Sequence, residues 1–160
     1  MIFVTLGTQN FAMNRLIDEI DRLIENGVLK PENLIIQRGV SKSSKYAKSM
    51  EMVQEKDFER ILVDAECIIC HGGTSSIIKA LKSSKKVIAI PRRAKYKEHV
   101  DDHQLEIVEV FYSQGYIEKL DNIKNLEVVL EEIKKKEYKK YTQTGELAKK
   151  IVVSVLESKL

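Results

Sequence analysis

Short apolar runs are spread along the whole chain and are separated by segments with a helical pattern. The runs at 2–6 and 67–70 are continuous rather than alternating, which is typical of strands that are buried on both faces of a sheet. Together with turn signals at their ends, these runs predict strands over residues 2–6, 33–37, 50–53, 67–70, 86–90 and 116–118.

Between these runs, apolar residues recur at helical spacing. Leu16, Ile17, Ile20 and Leu23 would share one helix face, and Gly27 is a natural helix stop. The same pattern predicts helices over residues 11–25, 57–64, 74–83, 101–114, 126–135 and 146–156, with polar loops over 41–49 and 92–99.

Strands that alternate with helices over the whole length indicate one α/β domain. We therefore predict a Rossmann-like parallel sheet with helices on both faces and right-handed crossovers. For the C-terminal helices, about 122–160, two alternatives stay open: they pack on their own sheet, or the helix at 146–156 docks a partner through its apolar face. The candidate docking residues are Leu147, Ile151, Val152, Val155 and Leu156.

Composition narrows the possible classes of protein. The chain is 43% hydrophobic and 32% charged, which fits a soluble globular protein. Its net charge of +3 is small and no basic face is evident, so nucleic acid is not expected as a partner. No apolar run approaches the roughly 20 residues of a membrane span, and the N-terminus lacks the basic region of a signal peptide. A cytoplasmic protein is expected, with any membrane contact peripheral or through a partner.

Cys67 and Cys70 are the only cysteines. A C-x-x-C pair can serve redox chemistry or half a zinc site, but only His71 lies close by as a further ligand. Residues three apart on a strand point to opposite faces. We therefore expect two buried structural cysteines.

The segment that joins the strand 67–70 to the helix 74–83 is rich in glycine and hydroxyl side chains. It reads His71-Gly72-Gly73-Thr74-Ser75. Glycines let the backbone approach a ligand closely, and a helix start presents free N–H groups with a positive dipole end. This arrangement can hold a diphosphate. The alternative is an ordinary capped turn.

Unusual polar segments follow the predicted strands at three places. They are Gly7-Thr8-Gln9, the turn 71–74, and Pro91-Arg92-Arg93. Ligands of such sheets bind beyond the carboxyl ends of the strands. These segments should therefore meet at one ligand-binding edge.

The segment 91–104 holds a second concentration of chemically active residues. Arg92 and Arg93 could neutralise phosphate, and Glu98 could accept hydrogen bonds from sugar hydroxyls. His103 and Gln104 lie in the first turn of a predicted helix and could face a ligand. His99 with His103 could also form a metal pair, but we favour no metal site, and simple helix capping for the two acids that precede His103.

Taken together, the motifs at 3–9, 71–75, 91–93 and 98–104 resemble the glycosyltransferases of family 28, whose C-terminal domain binds UDP-sugars. The resemblance covers most of the chain. It is nearest to the small subunit of split bacterial polysaccharide glycosyltransferases, which is similar to the soluble subunit of the transferase that adds the second N-acetylglucosamine to dolichol diphosphate.

This resemblance implies that residues 1–160 form a single donor-binding domain, equivalent to the C-terminal half of a GT-B enzyme. A membrane-anchored partner would bind the lipid-linked saccharide acceptor, and the isolated chain could self-associate through its unused face. The implied donor-binding residues are Gly7, Thr8, Gln9, His71, Gly72, Gly73, Thr74, Ser75, Arg92, Arg93 and Gln104, and the implied catalytic residues are Glu98 and His103, unless the general base lies on the partner. One departure is Lys79, because many family members have at this position a glutamate that holds the ribose.

The expected reaction is inverting transfer from a UDP-sugar, with galactose as the first candidate, to a lipid-diphosphate-linked saccharide in capsular or exopolysaccharide synthesis. N-acetylglucosamine and glucuronic acid are the next candidates. No Asp-x-Asp motif is evident in a suitable context, so neither a metal nor another cofactor is expected. The main alternative is a non-catalytic enhancer of a partner transferase. A single-chain epimerase would need a second domain, and an oxidoreductase would need a G-x-G-x-x-G motif after the first strand.

Overall fold

The computed structural model describes residues 1–157, and its centre is one parallel sheet. Its strands are β1 (Ile2–Thr5), β2 (Leu34–Gln37), β3 (Lys48–Met50), β4 (Cys67–His71), β5 (Lys86–Ile90) and β6 (Glu118–Lys119). All neighbouring strands pair in parallel in the order β3-β2-β1-β4-β5-β6. This is the doubly wound order in which the first half of the chain forms one side of the sheet and the second half the other. The predicted fold class is confirmed.

Six helices cover the two faces of the sheet within residues 1–157. They are α1 (Asn14–Glu25), α2 (Glu55–Asp64), α3 (Thr74–Lys82), α4 (His103–Ser113), α5 (Leu126–Lys135) and α6 (Gly145–Glu157). Successive strand residues point to opposite faces: Val4 packs in the core under α1 and α5, whereas Phe3 packs in the core under α2, α3, α4 and α6. None of these helices is both long and apolar enough to cross a bilayer.

The helix boundaries differ from the predictions by two residues or more at three N-termini. Helix α2 begins at Glu55 rather than at residue 57. Helix α1 begins at Asn14 rather than at residue 11, because Met13 has non-helical backbone angles and its N–H donates to Ser41 Oγ at 2.8 Å. Helix α4 begins at His103 rather than at 101, because Asp101 precedes the helix and its carboxylate accepts the His103 N–H at 3.0 Å.

Two strands also lie off their predicted positions. Strand β3 occupies 48–50 instead of 50–53, so part of the predicted loop 41–49 is the edge strand of the sheet. Strand β6 occupies 118–119 rather than 116–118, because Glu118 is the first residue in register with β5. Both strands are short and polar, so the apolar pattern marks them poorly.

The cysteines are structural, as expected. Both are free and buried, and they face opposite sides of β4: Cys67 joins the core under α1, and Cys70 joins the core under α3. Burial raises the pKa of each thiol to about 12. Neither thiol therefore supplies a thiolate at neutral pH.

One face of helix α6 packs on the domain and another face is exposed, so the helix has features of both predicted arrangements. Leu147 and Ile151 are buried in the core that also holds α4, so the helix packs on its own domain. Val152, Val153 and Leu156 remain more than half exposed. The side chain of Val155, another candidate docking residue, and residues 158–160 of the predicted C-terminal region lie outside the part of the chain that the structure describes.

Candidate functional site

A cleft of about 640 Å³ lies at the carboxyl ends of β1, β2 and β4. One wall is the loop 7–9 after β1, a second is the segment 52–55 that leads into α2, and the floor includes the turn 73–76 that opens α3. Gln37, at the end of β2, and Gln104, in the first turn of α4, complete the polar lining. The strand ends therefore converge as the sequence analysis predicted.

Most of the predicted binding residues lie around this cleft. The predicted residues that line it are Gly7, Thr8, Gln9, His71, Gly73, Thr74, Ser75 and Gln104. Gly72 lies behind the lining and serves packing, since a Cβ atom there would be 2.7 Å from Val108 Cγ2. The cleft lining does not include Arg92, Arg93, Glu98 or His103.

His71 is held at the bottom of the cleft by a defined set of hydrogen bonds. Its Nδ1 accepts the Gly73 N–H at 3.1 Å and lies 3.3 Å from Gln104 Nε2. Because a backbone N–H can only donate, Nδ1 carries no proton in the neutral ring. The proton is therefore on Nε2, which donates to Ser76 Oγ at 2.9 Å. Gln104 is oriented in turn by its Oε1, which accepts the Arg92 N–H at 3.0 Å.

Burial, with the nearby positive charge of Arg92, lowers the pKa of His71 to about 4. The ring is therefore neutral at physiological pH. In this state it can orient the Ser76 hydroxyl, but it is not a general acid.

Two glycines leave just enough room for this imidazole. A Cβ atom at Gly73 would lie 2.3 Å from His71 Cε1, and one at Gly7 would lie 2.6 Å from His71 Nε2. Gly7 also has φ +72°, in the left-handed region that favours glycine. The loop after β1 and the turn before α3 thus approach each other as closely as the ring permits.

The lowered pKa of His71 predicts a loss of stability in mild acid. Between pH 6.5 and about 4, His71 binds a proton in the unfolded chain but not in the folded chain. The free energy of unfolding therefore rises with pH in this window. The contribution, about 3 kcal/mol, is fully present above pH 6.5 and lost near pH 4. Urea unfolding of the wild type and His71→Gln across this range would measure it. Parallel pH dependences of the two proteins would show that His71 is not responsible.

Arg92 lies beneath the site rather than in it. The side chain is 1% exposed, and its guanidinium donates to the backbone carbonyls of Leu6, Phe11 and Glu98, the latter two at 2.7 and 3.2 Å. The sequence analysis expected phosphate oxygens as its partners. The structure instead uses it to join the loops after β1 and β5.

Glu98 is also buried, and its carboxylate is bonded to other groups of the protein. It is 2% exposed, and its carboxylate accepts from Arg15 Nε at 2.6 Å, Arg15 Nη2 at 3.0 Å and the Arg93 N–H at 3.0 Å. The Arg93 side chain is directed to Asp102, with Nε 3.5 Å from Oδ1. The Glu98 carboxylate and the Arg93 guanidinium therefore hold the segment 92–102 in place.

His103 begins α4 and lies beside an acidic residue. Its Nε2 is 3.3 Å from Asp101 Oδ2, and His99 Nδ1 is 3.1 Å from Asp101 Oδ1. Between residues 1 and 157, no group of three or more His, Cys, Asp or Glu side chains is arranged to hold a metal ion. The two histidines therefore form a hydrogen-bonded cluster around Asp101.

Several residues of the cleft were not predicted from the sequence. Gln37 could have been found, since it is a polar residue at the end of a predicted strand. Its Nε2 donates to Thr5 Oγ1 at 3.1 Å and its Oε1 accepts the Val53 N–H at 2.9 Å. Ser76 directly follows the predicted residues 71–75. Phe58 and the segment 52–55 carry no local signal, because only the folded chain brings them to the cleft.

The fold and the cleft define a doubly wound α/β protein with its ligand site beyond the strand carboxyl ends. A family model, the glycosyltransferase family 28 C-terminal domain, matches residues 1–158. The chain belongs to this family, and the resemblance stated from its motifs is confirmed.

The curated relatives that match are UDP-N-acetylglucosamine transferase subunit ALG13 from two strains of Cryptococcus neoformans var. neoformans serotype D. Each is 30% identical over 63 residues, which is 38% of this chain and 30% of the relative. The match thus spans less than a third of the relatives' length.

Solved structures show the same fold. The solution structure of ALG13 superposes with a TM-score of 0.61 at 18% identity, over 96% of this chain and 94% of that one. The glycosyltransferase of kitacinnamycin superposes with a TM-score of 0.57 at 14% identity, over 99% of this chain and 39% of that one. This chain thus corresponds in fold to less than half of the second structure.

Proposed function

We propose that this chain is the donor-binding subunit of a two-component glycosyltransferase that moves a sugar from a UDP-sugar to a lipid-diphosphate-linked saccharide. The observation that carries the proposal is the cleft, in which the start of α3 meets the loop after β1 and the segment 52–55 after β3. Family membership supports sugar transfer as the chemistry.

The start of α3 is the proposed diphosphate site. Gly73, Thr74 and Ser75 line the cleft where the helix presents its free N–H groups. During transfer, negative charge develops on the leaving diphosphate. Prepositioned N–H groups and hydroxyls at this point stabilise that charge without reorganisation.

The acceptor side of the reaction is proposed to lie on a membrane-anchored partner. Glu98, the local candidate for a general base, is buried and already bonded to Arg15, so it does not reach the cleft. We therefore place the base that deprotonates the acceptor hydroxyl on the partner subunit. The complex would act peripherally at the cytoplasmic face of the membrane.

Transfer of labelled sugar from a panel of UDP-sugars, with galactose first, to a membrane lipid acceptor tests this function. We expect transfer only when this chain and its membrane subunit are both present. Ser75→Glu should abolish it, because the new carboxylate would repel the diphosphate while favouring the helix start. Ser43→Glu, which adds the same charge to an exposed loop residue outside the cleft, should leave it unchanged.

The same assay separates the enhancer alternative. Transfer by the membrane subunit alone, increased by this chain and insensitive to Ser75→Glu, would assign the enhancer role and overturn the proposal. The labelled product then also identifies the sugar and the acceptor.

A further inference from the structure

The charges around the cleft are few and unevenly distributed. Of the described residues that line it, Lys79 is the only one with a permanent positive charge and Glu55 is the only carboxylate. His71 is neutral, and the guanidinium groups of Arg92 and Arg93 are directed elsewhere. A diphosphate bound here has one side-chain cation to meet it.

Lys79 is placed to reach the start of its own helix. It lies three residues after Ser76 and four after Ser75 in α3, and residues at these spacings share a helix face about one turn apart. All three residues line the cleft. The Lys79 side chain can therefore extend its ammonium group toward an anion at the turn 73–76.

The ammonium group is not committed to a carboxylate within residues 1–157. Its contact is with an aromatic ring, and Nζ lies 5.2 Å from the centroid of Phe58. Such a cation–π contact is weak at exposed sites, at about 0.5–1 kcal/mol. Phe58 lines the cleft too, and its ring is held edge-on by Phe3 at 5.2 Å. The cation can thus leave the ring at little cost when a stronger anionic partner enters.

We infer that Lys79 is a donor-binding residue of this chain, and that its ammonium group moves from the Phe58 ring to a phosphate oxygen of the bound nucleotide. This inference rests on the proposed function. Lys79 carries a charge opposite to that of the glutamate that the family resemblance implies at this position. A positive side chain here recognises the diphosphate, whereas the glutamate would hold the ribose. Movement of the ammonium group also exposes the Phe58 ring face to the nucleoside.

Isothermal titration calorimetry tests the inference. The full chain, alone or in complex with its membrane subunit, is titrated with UDP and separately with uridine. Lys79→Met should weaken UDP binding about tenfold or more, since a hydrogen bond to a charged group is lost. Uridine binding should change little, because uridine has no phosphate. Lys82→Met removes the same charge from the same helix outside the cleft, and it should bind both ligands as the wild type does.

Further variants distinguish charge from shape. Lys79→Arg should retain most of the UDP affinity, and the UDP affinity of the wild type should fall more steeply with added salt than that of Lys79→Met. Equal weakening of UDP and uridine binding by Lys79→Met, or tighter UDP binding by Lys79→Glu, would overturn the inference while leaving the proposed function intact. A wild-type chain that binds no UDP in either form would overturn both.

Discussion

Replacing Arg92 by methionine should lower the free energy of unfolding by about 3–5 kcal/mol, which is the range for removing one partner of a buried charged network. The methionine replaces the aliphatic stem of the arginine but leaves the carbonyls of Leu6, Phe11 and Glu98 without their donor in a region closed to water. Chemical denaturation followed by circular dichroism measures the change. Arg92→Lys should be nearly as damaging, because a single ammonium group cannot reproduce the planar fork of the guanidinium.

Arg93→Met provides the matched control at the neighbouring position. The Arg93 side chain is partly exposed and faces Asp102, so its loss should cost about 1 kcal/mol or less. If Arg92→Met were as stable as the wild type and bound UDP more weakly, the result would support the phosphate role that the sequence predicts for Arg92.

Replacing Glu98 by leucine should have an effect of similar size, about 3–5 kcal/mol, through the charge it leaves behind. Arg15 is 18% exposed at its side chain, and its guanidinium loses two hydrogen bonds when the carboxylate is removed. The Arg93 N–H loses its acceptor as well. Any fall in the proposed sugar transfer should follow the folded fraction of the protein and leave its pH profile unchanged.

A double-mutant cycle separates the ion pair from the rest of the network. Arg15→Met with Glu98→Leu should be less destabilised than the sum of the two single variants, because neither charge is then left unpaired. Additive losses would mean that the pair contributes no coupling. A folded Glu98→Leu variant that kept only residual transfer and had lost the acidic limb of its pH profile would instead support Glu98 as the catalytic base, since a base must be deprotonated to act.

The sequence predicts the fold well because burial on both faces of a parallel sheet gives a strong apolar signal. The runs at β1, β4 and β5 are nearly continuous. The edge strand β3 reads Lys48-Ser49-Met50 and is exposed or half-buried. Its polar residues satisfy the backbone ladder without entering the core, so the sequence analysis assigned most of it to a loop.

The site is predictable only where topology alone determines it. Strand ends of a parallel sheet must converge, which places 7–9 and 71–75 together. The hydrogen-bond partners of a long side chain cannot be predicted in this way. Arg92 donates to the carbonyls of Leu6 and Phe11, which are 86 and 81 residues away in the sequence. Residue type indicates that an arginine can bind phosphate, but it does not reveal which backbone oxygens the fold leaves unsatisfied nearby.

The close approach of Gly7 and Gly73 to the His71 ring has a consequence for protein engineering. These positions form one steric unit, so a library that varies them singly would be dominated by misfolded clones. The exposed residues Met52, Gln54, Ser75 and Lys79 border the same cleft without touching that unit. Randomising these four positions tests the proposed donor preference while the histidine and its two glycines remain as they are.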